Sequence, residues 1–209
     1  NFGDQNFNED PITHFYETFL AKYDPVQRVQ RGVFYTPRSV VKNIIRSVHH
    51  ELIGRFGFED GLASAVLLKD VLGINESSAN DSSVVSEHAV TILDPATGTG
   101  TFLVEVIEIV YQTVTAKWKK TGHTKKEIAS LWSGYVPENL LPRIYGYELL
   151  MAPYAIAHLK VALKLLETGY RLSAGDRINI FLTNALSGPR NFDESFEFAI
   201  PALDHEAHA

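Results

Sequence analysis

Val90-Thr91-Ile92-Leu93 runs without a break into Asp94-Pro95-Ala96-Thr97-Gly98-Thr99-Gly100, and a long apolar-periodic stretch, Thr101 to about Lys120, follows at once. This succession of short apolar strand, glycine loop and helix is what most restricts the fold. A parallel strand pair needs a crossover between its members, usually a helix, so a strand feeding straight into a helix points to a wound parallel sheet. Two later segments fit the same scheme. Arg143 to Glu148 reads as a second strand ending in an acid, and Asn179 to Leu182 as a third, followed by Thr183-Asn184. Between them Met151 to Leu166 reads as a helix, with Ala152, Ala155, Ile156, Leu159, Ala162, Leu163 and Leu166 expected on its buried face. The fold class expected is α/β, with about three parallel strands and flanking helices. Three strands are few for a doubly wound domain, so the chain reads as truncated.

Upstream, Ile12 to Tyr23 has Phe15, Phe19 and Leu20 at helical spacing before Asp24-Pro25 breaks the pattern, which makes residues 1–31 a helical lead-in. In Gly32-Val33-Phe34-Tyr35-Thr36-Pro37, Thr36 is a suitable N-cap and Pro37 a suitable first helical residue. The helix so started is expected to bury Val40, Val41, Ile44, Ile45 and Val48 and to end near Phe56-Gly57. Leu62 to Leu72 suggests another helix and Lys125 to Trp132 a smaller one. Gly73 to Ala89 is rich in Ser, Asn, Asp and Glu and reads as an exposed, flexible insertion in the 32–209 domain. The tail beyond Gly188 shows no period.

Composition narrows the classes. With 45% hydrophobic residues in 209, the chain has enough apolar material for one cored domain. It has no cysteine, hence no disulfide framework and no thiolate metal site. Its first ten residues are polar and acidic, unlike a signal peptide. No apolar run approaches the ~20 residues of a membrane span. A soluble, cytoplasmic protein is expected, with no metal site. His205, Glu206 and His208 lie in the tail and read as an exposed end. The net charge of -6 argues against a free-standing nucleic-acid binder, which usually carries a basic face. Trp118, Lys117, Lys119 and Lys120 are better read as a solvated helix end than as a nucleic-acid contact.

In a wound sheet, ligands bind outside the carboxyl ends of the strands. The Asp94–Gly100 loop, Glu148 and Asn184 all fall at such ends. Gly98 and Gly100 let the backbone turn tightly and approach a ligand, and the helix that follows offers unpaired N–H groups. Asp94 would repel a phosphate and hold an ammonium. Glu148 is placed to accept hydrogen bonds from ribose hydroxyls.

Taken together these strings resemble the adenine-N6 DNA methyltransferases. Gly32-Val33-Phe34-Tyr35-Thr36-Pro37 resembles the motif that precedes their cofactor loop, Asp94 to Leu103 resembles the loop itself, and Tyr145-Gly146-Tyr147-Glu148 the ribose-binding acid. DPITHFYETFLAKYDP, YELLMAPYAIAHLKVAL and INIFLTNAL narrow the similarity to the methyltransferase region of single-chain Type I-like (Type ISP) restriction-modification enzymes. The resemblance implies a Rossmann-like S-adenosylmethionine-dependent methyltransferase fold. It implies DNA as partner, held mostly by parts outside this chain, and helicase and nuclease domains on the same polypeptide. It also implies residue roles. Tyr35, Thr36 and Pro37 start the helix that meets the methionine carboxylate. Asp94 lies near the methionine amino group, and Ala96, Thr97, Gly98 and Gly100 supply backbone around it. Glu148 takes the ribose hydroxyls and Leu149 packs on the adenine. Asn184 stands where relatives often have Asp; its amide oxygen can accept a hydrogen bond, the alternative being a turn former. The family's catalytic Asn/Asp-Pro-Pro-aromatic tetrapeptide does not occur in the sequence. It is expected beyond Ala209, so no catalytic residue is assigned and the chain alone is expected to be inactive.

Three rivals share parts of the pattern. A nicotinamide oxidoreductase is disfavoured because Leu103 stands where GxGxxG needs its third glycine. RNA adenine and protein glutamine methyltransferases share the cofactor loop. A non-catalytic S-adenosylmethionine-binding domain is the third.

Overall fold

The computed structural model describes residues 36–74 and 86–186. The lead-in helix expected over Ile12 to Tyr23, Tyr35, and most of the insertion lie outside the described residues. So does the tail from Ser187 to Ala209, with His205, Glu206 and His208. The expectation of a catalytic motif past Ala209 therefore also falls outside the described residues. The elements are α1 (Arg38–Gly54), a 3-10 turn at Gly61–Ala63, α2 (Leu68–Leu72), β1 (Ile92–Asp94), α3 (Thr101–Lys120), α4 (Lys125–Tyr135) continued by a π-helical turn at Val136–Leu140 and a 3-10 turn at Leu141–Arg143, β2 (Ile144–Glu148), α5 (Met151–Glu167) and β3 (Asn179–Leu182). The three strands form a parallel sheet in the order β1-β2-β3, with Asp94 opposite Gly146 and Glu148 opposite Leu182. The wound parallel α/β arrangement expected from the sequence is therefore present.

Side chains alternate across a strand, and one sheet face carries Ile92, Ile144 and Ile180 into the core. There they meet Val41 and Ile45 of α1, Leu103, Val106 and Val110 of α3, and Ala157, Val161 and Leu165 of α5. The three long helices thus share one side of the sheet. The other face carries Leu93, 51% exposed, and half-buried Tyr145, Tyr147 and Phe181. The Tyr147 and Phe181 rings meet edge-on, centroids 6.2 Å apart. Beneath α3, Trp132 stacks on Tyr135 (5.8 Å) and meets Tyr111 edge-on. Arg143, 1% exposed, donates to the Tyr135 hydroxyl (2.9 Å), which donates to the Ala63 carbonyl. Thr124 and Glu127 form a reciprocal capping box that starts α4.

Four expectations need correction. On α5 the apolar stripe of Ala152, Ala155, Leu159, Leu163 and Leu166 is exposed, with Ile156 and Ala162 half-buried; the opposite face, Pro153, Ala157, Lys160, Val161, Lys164 and Leu165, is the buried one. On α1 only Val41 and Ile45 of the expected set are buried, while Val40, Ile44 and Val48 are 43–44% exposed. The α1 helix begins at Arg38 with Pro37 at its N-cap and no side-chain capping bond, so Thr36 does not cap it; end residues shift this easily because the first turn lacks internal bonds. Leu62 to Leu72 is not one helix but a 3-10 turn and a short α2, parted by an extended Ser64.

The far end of the polar insertion is tied to the residues just before α2. Leu67 and His88 form an antiparallel bridge, and the Leu68 and Ala89 N–H groups donate to the Glu87 and Val66 carbonyls (2.8 and 2.9 Å). Among the described residues no helix is long and apolar enough to cross a membrane, and no cluster of His, Cys, Asp or Glu is arranged to hold a metal ion.

Candidate functional site

The loop joining β1 to α3 is shaped by its own polar groups. The Ala96 N–H donates to Asp94 Oδ1 (3.2 Å) and Thr97 Oγ1 to the Asp94 carbonyl (3.0 Å), the local bonding that favours Asp and Thr in turns. Gly98 and Gly100 have φ of +54° and +79°, where a side chain is strained. At Gly100 a Cβ would also come within 3.2 Å of the Ala157 Cα and Cβ. The glycine therefore lets α5 pack directly against the loop. The loop leans equally on β2. The Thr97 N–H donates to the Tyr147 carbonyl (2.9 Å), and a Cβ on Gly146 would lie 2.5 Å from Thr97 Oγ1.

Glu148, 9% exposed, ends β2 beside this loop. Its Oε2 accepts the Gly98 N–H and its Oε1 the Leu150 N–H, both at 2.8 Å. One carboxylate thus fastens the β1 loop to the start of α5. Asp94 Oδ2 is buried with no hydrogen-bond partner among the described residues. Burial pushes the Asp94 pKa up, the Ala96 N–H opposes this, and the nearby Glu148 charge adds to the rise. A buried carboxylate oxygen facing a second acid is stabilised by a cation or a strong donor.

The remaining expected site residues divide. Ala96, Thr97, Gly98 and Gly100 share one loop with Asp94, and Glu148 bonds to it directly. Leu149 is half-buried between β2 and α5. The Thr183 N–H donates to the Glu148 carbonyl (2.8 Å), which brings the end of β3 alongside. There Asn184 Oδ1 accepts the Leu186 N–H (3.0 Å), the bonding of a turn former. Thr36 and Pro37 are exposed at the start of α1. The α1 residue that approaches the loop is Ile45, which with Asp94, Pro95 and Phe102 lines a pocket of about 160 Å³.

Sequence reasoning missed three residues. Gly146 makes room for Thr97. Thr99 is 1% exposed, and Lys160 of α5, 7% exposed, donates to it and to Thr101. The spacing Pro153, Ala157, Val161, Leu165 was the available signal for which face of α5 looks inward.

Residues 7–69 match the family model described as N-6 DNA Methylase, less than half of the chain and upstream of the glycine loop. Among solved structures, the chain is similar to one in the cryo-EM structure of a DrdV–DNA complex, with 24% identity and a TM-score of 0.50, covering 83% of this chain and 12% of that one. The ATP-dependent Type ISP restriction-modification enzyme LlaBIII bound to DNA matches at 20% identity and a TM-score of 0.48, covering 82% and 9%. A nuclease-deletion mutant of the Type ISP enzyme LlaGI, in complex with a DNA substrate mimic, matches at 21% and 0.49, covering 90% and 12%. The chain spans roughly a tenth of the length of these proteins. No curated protein gives a significant match. The family match bears out the resemblance to N6 DNA methyltransferases, and the likeness to the DrdV chain bears out the fold.

Proposed function

We propose that the chain is the cofactor-holding part of a DNA methyltransferase of a restriction-modification system, which transfers a methyl group from S-adenosylmethionine to N6 of adenine. The observation that carries this reading is the buried Asp94 Oδ2, without a partner among the described residues and set at the mouth of a glycine loop. It suits an amino group and opposes a phosphate. The residues present fit the cofactor in other respects. Each carboxylate oxygen of Glu148 accepts one backbone N–H and keeps acceptor capacity for a ribose hydroxyl. Ala96, Thr97, Gly98 and Gly100 offer close backbone approach, Leu149 an apolar surface for the adenine, and Asn184 a polar contact to it. Tyr35, Thr36 and Pro37 precede α1, whose positive end suits the methionine carboxylate. When bound, S-adenosylmethionine supplies a methyl group on a cationic sulfur.

DNA is the proposed partner. The net charge of -6 gives this chain a small share in holding it. The match to the N-6 DNA Methylase family model supports that reading.

Calorimetric titration tests the proposal. Heat on adding S-adenosylmethionine or its demethylated product is expected. No heat with either, but clear binding of a nicotinamide dinucleotide, would overturn it in favour of an oxidoreductase.

Asp94 allows a sharper prediction, because its effects on stability and on binding run in opposite directions. Its pKa is raised by burial, lowered less by the Ala96 N–H and raised further by Glu148. The folded state then holds this proton more tightly than the unfolded one. The sign follows: stability is greater below the ordinary carboxyl range and falls as pH rises through the higher folded value. Asp94→Asn removes that penalty. At neutral pH it should be at least as stable as the parent, yet bind S-adenosylmethionine about tenfold more weakly through loss of a charge-assisted hydrogen bond. Thermal melts across pH, with titrations at neutral pH, check both. A variant that is less stable and binds unchanged contradicts the assignment.

Binding is not turnover. The adenine amine is a poor nucleophile that must be held in line with the methyl–sulfur bond, and the flipped base must be stacked. The 209 residues, Asn1 to Ala209, contain no Asn/Asp-Pro-Pro-aromatic tetrapeptide to do this. No methyl transfer is therefore expected from them alone in a tritiated-methyl assay on mixed-sequence DNA. Robust incorporation would show that catalytic groups lie among them.

A further inference from the structure

Two lysines of α5 are buried. Lys160 and Lys164 are each 7% exposed. They lie four positions apart, on the face packed against α3. Taking an ammonium out of water is costly unless it is well paired. Lys164 has its pairing in Glu108 and Glu167, the latter at 3.2 Å. Burial pulls its pKa down, but these two carboxylates outweigh that and leave it raised.

Lys160 reaches the other way. Its Nζ donates to Thr101 Oγ1 (3.1 Å) and Thr99 Oγ1 (3.4 Å). These hydroxyls flank Gly100, the left-handed residue at which the loop becomes α3. The same residue packs against Ala157, one turn earlier on α5, at 3.2 Å from a Cβ position. The Gly100 N–H in turn closes the loop onto the Thr97 carbonyl (2.9 Å). The loop's exit is thus held by a steric contact at Ala157 and by charge-assisted hydrogen bonds at Lys160. An ammonium at this end of α3 opposes the helix dipole.

We infer that Lys160 is a positioning residue that braces the Thr99–Thr101 junction and holds the Ala96–Gly100 backbone in the shape that receives the cofactor. The inference rests on the reading of this loop as the S-adenosylmethionine site. Lys160 does not touch the ligand; it acts through the two threonines.

Lys164 supplies the control, being equally buried on the same helix face and bonded away from the loop. Two readouts are needed on Lys160→Met, Lys160→Gln and Lys164→Met. The first is amide hydrogen exchange at Thr97, Gly98 and Gly100 without cofactor, normalised to core amides of α3. The second is S-adenosylmethionine affinity by calorimetry. Lys160→Met should speed loop exchange and weaken binding, each by about tenfold, the effect of losing a charged hydrogen bond. Lys160→Gln, which keeps a donor, should fall between and serves the same comparison if the methionine variant does not fold. Lys164→Met should lower the melting temperature and leave both normalised readouts near the parent. Equal loop exchange in the Lys160 and Lys164 variants overturns the bracing role. Faster loop exchange only at Lys160, in a parent that binds no S-adenosylmethionine, upholds the brace and removes the cofactor reading.

Discussion

Glu148→Ala is expected to weaken S-adenosylmethionine binding by about 1–3 kcal/mol and to lower stability by a similar amount, since it removes hydrogen bonds to a charged group and leaves two half-buried donors without their acceptor. The stability loss follows from the Gly98 and Leu150 N–H groups, each bonded to one carboxylate oxygen at 2.8 Å. The binding loss follows from the ribose hydroxyls assigned to the same carboxylate and from the slackened loop. Glu148→Gln separates the contributions. Its single amide oxygen can accept from one N–H, while its amide nitrogen faces the other donor. It should fall between parent and alanine in both respects. Denaturant unfolding and calorimetry on the three proteins measure this. If Glu148→Ala stays folded and binds as tightly as the parent, the ribose assignment is wrong.

Gly146 carries the largest expected effect on folding. It sits in the central strand with an ordinary backbone, so the argument is one of space. A Cβ there would meet Thr97 Oγ1 at 2.5 Å, Leu103 Cδ1 at 3.1 Å and Ile180 Cγ1 at 3.3 Å. Gly146→Ala should cost about 1–3 kcal/mol, and Gly146→Val more, because overpacking a filled interior forces its neighbours off their rotamers. The hard contact is a single hydroxyl. Adding Thr97→Ala to Gly146→Ala should therefore cost less than the sum of the two changes, and a double-mutant cycle in urea reads the coupling. Strict additivity would mean that the strand moves aside and the loop does not depend on this glycine.

The loop, the strand ends and the order of the acids were legible because each depends on neighbours along the chain. Asp94 and Gly98–Gly100 follow an apolar strand, and Glu148 follows another. That Glu148 grips Gly98 was not legible, since the two lie 50 positions apart and nothing in local spacing records the bond. The inward face of α5 was misjudged for a physical reason. This helix is apolar on both sides, and its inner side includes two lysines whose stems can be buried while their ammonium groups are paired. Hydrophobic periodicity therefore favoured Leu159, Leu163 and Leu166, all of which are exposed. On α1 the same ambiguity set Val40, Ile44 and Val48 against Val41 and Ile45, one position on. At Asn184 the sequence admitted a ligand contact or a turn; its Oδ1 accepts the Leu186 N–H and keeps a second lone pair for a ligand.

The Leu67–His88 bridge has a practical consequence for anyone who wants to follow the protein in solution. It joins Leu67, just before α2, to His88, just before β1, so a segment added between them has both ends anchored. Lengthening such a segment costs only about 0.6 kcal/mol per doubling. An epitope or a fluorophore grafted there, near Asp81, enters the chain on a different segment from the glycine loop, Glu148 and Lys160. A label there leaves the glycine loop, Glu148 and Lys160 unmodified.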